Sequence, residues 1–247
     1  MSATGHRTID KPCPICTNPT TVTPDDGEYI RCHRCGVLRT RHDYNGAMYN
    51  PRYANVYIEY ANGPINTPLN LFRLGLVSRW MGPRDKLLDI GCCVGEFVRF
   101  AEHYYDCAGF EPNKTAANLA RHRVNSPIMG NLNGSGRVKC ITMFDVLEHI
   151  QEPIEFLTML REKYLQTDGV VALTTPNVEA VPLWADDRMR RWKHYKPTEH
   201  LFLYSEFSLN ILLQKVGMEA IHWGSEESDI RPGNPDRDIL TCVARRV

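Results

Sequence analysis

Four cysteines fall into two tight pairs, Cys13-Pro14-Ile15-Cys16 and Cys32-His33-Arg34-Cys35-Gly36, separated by 15 residues. Each C-x-x-C turn aims two thiolates at one point, and two such turns supply the four tetrahedral donors that zinc prefers. Cys13, Cys16, Cys32 and Cys35 are therefore the expected zinc ligands, with redox pairing as the alternative. Four protein donors leave no open coordination position, so the ion is expected to be structural. His6, His33 and His42 are expected to be exposed loop histidines beside it.

A second constellation lies in Leu87-Leu88-Asp89-Ile90-Gly91-Cys92-Cys93-Val94-Gly95-Glu96-Phe97. An apolar strand ends near Asp89, a loop opens at Gly91, and a helix begins near Gly95. Glycines there let backbone approach a ligand closely, and the helix start offers unpaired N–H groups. Twenty residues past Gly91, the next strand ends at Glu111, where a carboxylate can accept hydrogen bonds from the two hydroxyls of a ribose. The loop reads G-x-x-x-G and lacks the closely spaced second glycine of G-x-G-x-x-G, which excludes a dinucleotide's pyrophosphate and favours a nucleoside with an amino-acid tail. A structural βα turn without a ligand is the bland alternative.

On these residues the chain resembles the class I S-adenosylmethionine-dependent methyltransferases over about residues 70–247. Asp89, Gly91 and Gly95, with Cys92 between them, match the first motif, whose loop holds the methionyl part of the cofactor; Glu111 matches the ribose-binding acid. Phe144-Asp145-Val146-Leu147-Glu148-His149-Ile150 is similar to the family's D-x-L-E-H segment after the fourth strand, which implies that Asp145 lines the cofactor site. Where relatives often carry an acidic residue beside the adenine, this chain has Gly130-Asn131-Leu132, leaving Asn131 as the candidate hydrogen-bonding group. The paired C-x-x-C units before a tyrosine-rich stretch resemble a subgroup with an N-terminal zinc ribbon, associated with sugar, surface-polysaccharide and natural-product methylation.

Methyl transfer is an in-line displacement that needs an aligned nucleophile and, for a hydroxyl or activated carbon, removal of a proton. Histidine suits that removal near neutral pH. Pro197-Thr198-Glu199-His200-Leu201, before Tyr204-Ser205, resembles the family's E-H-x-x-x-[FY]-S run where substrates are met. His200 is the first candidate base, with Glu199 as its orienting neighbour. His149, after the fourth strand, is the second. For each histidine the alternative is a loop-anchoring hydrogen bond. Trp184, Arg188, Arg190, Arg191, Trp192, Lys193, His194, Tyr195 and Lys196 form a basic, aromatic stretch that is either a solvated helix face or a lid over a phosphorylated or nucleotide-linked acceptor.

The elements that must position these groups follow from periodicity. Expected strands are Lys86–Ile90, Cys107–Phe110, Pro127–Met129, Val138–Phe144 and Val170–Thr174. They alternate with helices over about 94–104, 113–123 and 152–165, which predicts a doubly wound, mostly parallel, seven-stranded Rossmann-like α/β sheet. A helix over about 205–216, capped by Gly217, precedes two runs, 218–223 and 238–243. These should form a C-terminal antiparallel hairpin with a polar, mobile loop over 224–237. The expected organisation is a zinc knuckle over 1–45, a tyrosine-bearing helical lead-in or lid over 46–82 (Tyr49, Tyr53, Tyr57, Tyr60), and the methyltransferase domain over 83–247. The five remaining cysteines, Cys92, Cys93, Cys107, Cys140 and Cys242, read mostly as small core residues.

Twenty-nine basic and 29 acidic residues cancel, so no global field draws the chain to nucleic acid or anionic lipid. The opening MSATGHRTID lacks an apolar h-region and no apolar run reaches membrane-spanning length, which predicts a cytoplasmic protein with no membrane partner. The expected activity is methyl transfer to a hydroxyl, or to a carbon or nitrogen, of a small polar acceptor such as a sugar or nucleotide-linked sugar. A nucleic-acid methyltransferase is the rival reading, kept open by Arg31, Arg34, Arg39 and Arg41 around the second cysteine pair. Against it, there is no N-P-P-[YF] motif, and the sole Pro-Cys, Pro12-Cys13, is already spent on the metal. A zinc-binding adaptor with a vestigial core is the third reading; the intact Asp89, Gly91, Gly95 and Glu111 argue against it. The knuckle itself either binds nucleic acid or, with residues 1–45 nearly charge-balanced, braces the tyrosine-bearing segment over the site.

Overall fold

The computed structural model of the chain describes residues 12–18, 21–22, 28–42, 58–59, 61–132, 136–181, 188–231 and 237–247. The tyrosine ladder at 49, 53, 57 and 60, His6 and Trp184 lie outside the described residues. Among those described, no helix is long and apolar enough to cross a membrane.

Of two short turns carrying the cysteine pairs, one precedes β1 (Thr21–Val22) and the other joins β2 (Tyr29–Cys32) to β3 (Leu38–Thr40); the three small strands pair antiparallel in that order. Gly36, at φ +76°, turns the chain between β2 and β3, a conformation that glycine adopts without steric penalty. His33 and His42 are exposed, as the sequence predicts.

After helix α1 (Asn66–Ser78), strand and helix alternate as β4 (Lys86–Ile90), α2 (Glu96–Ala101), β5 (Asp106–Phe110), α3 (Lys114–Arg123) and β6 (Ile128–Met129). The chain then returns through β7 (Val138–Phe144), a 3-10 turn (Leu147–His149) and α4 (Pro153–Met159), whose end widens to a π turn over Leu160–Tyr164. Next come β8 (Leu165–Pro176), α5 (Arg188–Arg191), β9 (Phe202–Leu203), α6 (Glu206–Lys215), β10 (Met218–Gly224), α7 (Glu227–Ile230) and β11 (Ile239–Arg246). β8 starts five residues earlier than the apolar run predicts. A register shift opposite Val138–Cys140 absorbs the extra length there, so residues 167–169 lie within the strand.

The large sheet has the order β10-β11-β8-β7-β4-β5-β6, with β4 to β8 parallel and the β10–β11 hairpin antiparallel. The sheet is doubly wound and Rossmann-like, with seven strands and a C-terminal hairpin. Alternate residues feed two cores: Leu88, Ile90 and Ile141 pack on one face, Leu87, Cys107 and Cys140 on the other. Strands buried on both faces read as continuous apolar runs, which is why β4 and β7 are legible without alternation. Winding goes one way from β4 through β5 to β6 and the other way from β7 to β8. The switch point, and the crevice it creates, therefore lies at the carboxyl ends of β4 and β7.

Two features depart from expectation. The cysteine-bearing sheet is not self-contained: β9 pairs with β3 and completes a four-stranded sheet β1-β2-β3-β9. The segment between β10 and β11 is not simply a polar mobile loop, because α7 buries Glu227 completely and brings Ser228 inside with it.

Candidate active site

The β4–α2 turn is shaped for close backbone approach. Gly91 sits at φ +69° and a Cβ there would meet Val146 Cγ2 at 2.6 Å; Gly95 sits at φ +83°, with Val124 Cγ1 at 3.0 Å from a Cβ position. Neither position accepts a side chain without strain and collision. Beneath the turn, Asp89 is 4% exposed and accepts a 2.7 Å hydrogen bond from Thr142 Oγ1. Burial pushes its carboxyl up to about 7, although Thr142 works against the shift. Glu111, at the end of β5, accepts from the main-chain N–H groups of Cys93 (3.0 Å) and Asn113 (2.8 Å). Burial raises its pKa and those two donors oppose the rise. Cys92 is buried and Cys93, at φ +49°, is half-buried against a small apolar cluster of Ala61, Val94 and Ala116; both also line the crevice.

These groups line one cavity of about 490 Å3, together with Asp145, Glu148, His149, Glu199 and His200. The volume falls within the range of small-molecule and cofactor sites. Of the residues expected at the cofactor, Asp89, Gly91, Cys92, Glu111 and Asp145 line it; Gly95 is not in the lining and packs against Ala120 and Val124 at the start of α2. Asn131 does not: it is exposed, beyond the end of β6, and outside the lining. β6 ends level with β5, Met129 O accepting from Glu111 N at 2.9 Å, and Asn131 lies two residues past that point.

At the other end of the cavity two turns are stitched together. Leu201 N donates to Glu148 O at 2.8 Å, and His149 donates from Nδ1 to Glu199 O at 2.9 Å. His200 donates from Nδ1 to His194 O at 2.8 Å. A carbonyl can only accept, so each imidazole carries its proton on Nδ1 and keeps a lone pair on Nε2. The two rings meet edge to face, centroids 4.9 Å apart. Burial holds both neutral, and with His149 beside it the His200 pKa falls to about 3. Glu148 is 1% exposed and accepts from Thr175 Oγ1 at 3.0 Å; burial and then the neighbouring Asp145 push it up to about 8.

The expected Glu199–His200 partnership does not form. The Glu199 carboxylate turns to Lys196 at 3.4 Å, and it is the main-chain carbonyls of residues 194 and 199 that orient the two histidines. The basic, aromatic stretch divides between solvent and core. Arg190, Arg191, Lys193 and Lys196 are exposed, while Trp192 donates to Asp238 at 2.7 Å and His194 stacks on His200.

Sequence reasoning missed a buried charge network at the crevice. Arg73 grips Glu227 through Nε (3.1 Å) and Nη2 (2.7 Å) and reaches Asp145 at 3.3 Å. Arg231 donates to Asp145 at 2.6 Å and also bonds Glu227. Against the upward push of burial, Arg231 and Arg73 hold the Asp145 carboxyl well below the ordinary carboxylate range. Asn66, Asn70 and Arg73 fall on one face of α1 at helical spacing, a polar stripe that could have flagged Arg73. Nothing comparable marks Arg231 or Glu227.

Behind the histidine wall stands the cysteine cluster. Cys13, Cys16, Cys32 and Cys35 are all buried, and their sulfurs lie within 4.8 Å of one another. Cys13 Sγ is 3.7 Å from Cys35 Sγ, and Cys16 Sγ is 3.4 Å from Cys32 Sγ. A tetrahedron with Zn–S bonds of about 2.3 Å has edges of about 3.8 Å, so the donor set fits a tetrahedral thiolate site. The cluster's sheet reaches the site directly: Tyr29 donates its hydroxyl to His200 O at 3.0 Å, and Thr40 N donates to Leu201 O at 2.9 Å.

A crevice at the switch point of a doubly wound sheet, with a glycine turn at one end and titratable groups at the other, is the architecture of an enzyme. The profile of the family described as "Methyltransferase domain" matches residues 68–222, and the chain belongs to that family and is a methyltransferase. Among solved structures, it is similar to the CcbJ methyltransferase from Streptomyces caelestis (TM-score 0.62, 15% identity, 83% of this chain and 100% of that one). It is also similar to an S-adenosylmethionine-dependent methyltransferase from Clostridium acetobutylicum (TM-score 0.58, 12% identity, 79% and 98%). A third is the plantazolicin methyltransferase BpumL in complex with a pentazolic desmethylPZN analog and SAH (TM-score 0.56, 14% identity, 79% and 91%). At such identities the likeness is one of fold. No curated protein matches the chain.

Proposed function

We propose that the cavity binds S-adenosylmethionine and that the chain transfers its methyl group to a hydroxyl of a small polar acceptor, with a sugar or nucleotide-linked sugar as the leading class. One observation carries this reading: a single cavity holds the glycine turn and Glu111 at one end and Glu148, His149 and His200 at the other. Bound there, the cofactor supplies an electrophilic methyl group on a sulfonium. The Gly91–Gly95 turn accepts the methionyl part, and Glu111, whose two oxygens each keep a free lone pair, accepts the ribose hydroxyls. His149 and His200, each with a lone pair on Nε2, line the cavity together with Glu148, on the wall assigned to the acceptor. Solved neighbours described as S-adenosylmethionine-dependent, one of them in complex with SAH, support the cofactor.

The cysteine cluster is proposed to hold structural zinc. Its role is to brace the segment carrying Glu199 and His200, through the β3–β9 pairing and the Tyr29 hydrogen bond. The tyrosines of the segment that the sequence predicts the knuckle to brace lie outside the described residues.

The test follows methyl label from S-adenosylmethionine into a panel of sugar phosphates and nucleotide sugars, with bulk RNA and DNA as the rival acceptors. Label should enter the sugar panel, and His200→Ala should lower turnover by roughly a hundredfold while leaving affinity for the demethylated product near wild type. Label confined to nucleic acid, or an unchanged His200→Ala rate, would overturn the assignment.

A further inference from the structure

We propose that Glu148, His149 and His200 form a second metal site, on the acceptor wall of the cavity, for a divalent transition-metal ion that holds the acceptor. One ring nitrogen from each histidine and a carboxylate oxygen of Glu148 all lie within 4.8 Å of one another. All three residues line the cavity, so an ion there meets the ligand space rather than sealed core.

The surroundings are those of ligands and not of stray polar groups. Metal-bound histidine characteristically donates its other ring N–H to a carbonyl or carboxylate, which sets the tautomer and the ring orientation. Both histidines do so, from Nδ1 to Glu199 O and to His194 O. Thr175 Oγ1 steadies the Glu148 carboxylate from behind. The two peptide segments that carry the donors are joined by Leu201 N to Glu148 O, and the cysteine-bearing sheet backs the His200 main chain through Tyr29. Two imidazoles and one carboxylate make a donor set for zinc, iron, manganese or cobalt, with coordination positions left open. The four-thiolate cluster nearby has none open. Among the described residues the chain thus carries one closed and one open donor set, and the residues of the open one line the cavity.

Open positions on such an ion suit an acceptor offering a hydroxyl with a second oxygen on the adjacent carbon, as in the vicinal diol of a sugar. The ion lowers the pKa of the hydroxyl it holds, and the proton leaves to water at the cavity mouth. The oxygen's electron pair then attacks the methyl carbon: the O–C bond forms as the S–C bond breaks, and sulfur keeps the bonding pair as a neutral thioether. His200 acts in this scheme as a ligand and not as the proton acceptor. The ion's role rests on the methyl-transfer reading; its binding does not.

The test is a Mn2+ titration of the full chain, with its cysteine cluster loaded with zinc, followed by the loss of the free-ion electron paramagnetic resonance signal. One further Mn2+ should bind per chain, and His149→Gln and Glu148→Gln should each weaken it by roughly tenfold or more. Broadening of the His149 and His200 imidazole NMR signals by Mn2+ in the wild-type chain supports the site without any substitution. S-adenosylhomocysteine calorimetry on the same samples separates the two claims, since the glycine turn and Glu111 follow other strands, β4 and β5. Normal S-adenosylhomocysteine binding with no Mn2+ bound, or Mn2+ binding unaltered by both substitutions, overturns the metal site and leaves the methyl-transfer reading standing.

Discussion

Replacing Glu227 by alanine tests whether charge pairing fastens the β10–β11 crossover over the crevice. The carboxylate is fully buried and takes four contacts from two guanidiniums, two from Arg73 and two from Arg231. Removing it leaves two arginines, with side chains only 11% and 12% exposed, sharing Asp145 alone. Arginine cannot shed its proton to escape, so the surplus charge must be solvated where it stands. Breaking a buried pair in this way costs about 3–5 kcal/mol. Both guanidiniums line the cavity, where water can reach them, so the lower end, about 3 kcal/mol, is expected. Glu227→Gln keeps an acceptor and loses only the charge, and should fall roughly midway. At about 2–4 °C per kcal/mol for a chain of this size, Glu227→Ala should lower Tm by roughly 6–12 °C. Urea unfolding of the wild type and both variants, monitored by far-ultraviolet circular dichroism, gives the free energies directly. A Glu227→Ala change below about 0.5 kcal/mol, the size of an ordinary surface substitution, would refute the charge-fastening argument.

Two further predictions concern the ends of the site. Removing the metal from the cysteine cluster, by chelation or by Cys35→Ser, should lower turnover by roughly tenfold or more through the β3–β9 contact. Affinity for S-adenosylhomocysteine should change little, because Asp89 stands on β4 and Gly91 and Glu111 directly follow β4 and β5, away from the cysteine-bearing sheet; metal analysis with calorimetry on one preparation checks both. The second concerns pH. The Asp89 carboxyl stands at about 7 when folded against an ordinary value of 3.8, so the folded chain holds a proton that the unfolded chain has released. Stability is therefore lost as pH rises from about 4 to about 7, by an amount on the order of a few kcal/mol. Asp89→Asn keeps the acceptor for Thr142 and removes the titration. Its Tm should pull ahead of the wild type across that window, and parallel melting curves from pH 4.5 to 7.5 would contradict the assignment.

What could be read from the chain alone followed from local physics. β4 and β7 match their apolar runs residue for residue, because burial on both faces writes itself into contiguous sequence. The glycine turn and the two cysteine pairs were legible for a similar reason: ligand geometry demands fixed residue types at short spacing. The rest depended on distance. Arg73 meets a partner 154 residues away, and Arg231 meets Asp145 across 86. The β3–β9 pairing joins strands whose short segments carry no pairing signal of their own. Glu199 misled by adjacency: successive residues in an irregular turn need not aim the same way, and its carbonyl, not its carboxylate, orients a histidine. Asn131 rests on analogy of position alone, and the structure leaves it exposed outside the cavity lining.

Titration of the full chain with S-adenosylhomocysteine in a calorimeter tests the central claim most directly. One site per chain is expected, weakened by roughly tenfold or more in Glu111→Ala, since a buried carboxylate that holds two ribose hydroxyls contributes at least about 1.4 kcal/mol. No heat of binding to the wild type, or an affinity untouched by that substitution, would contradict it.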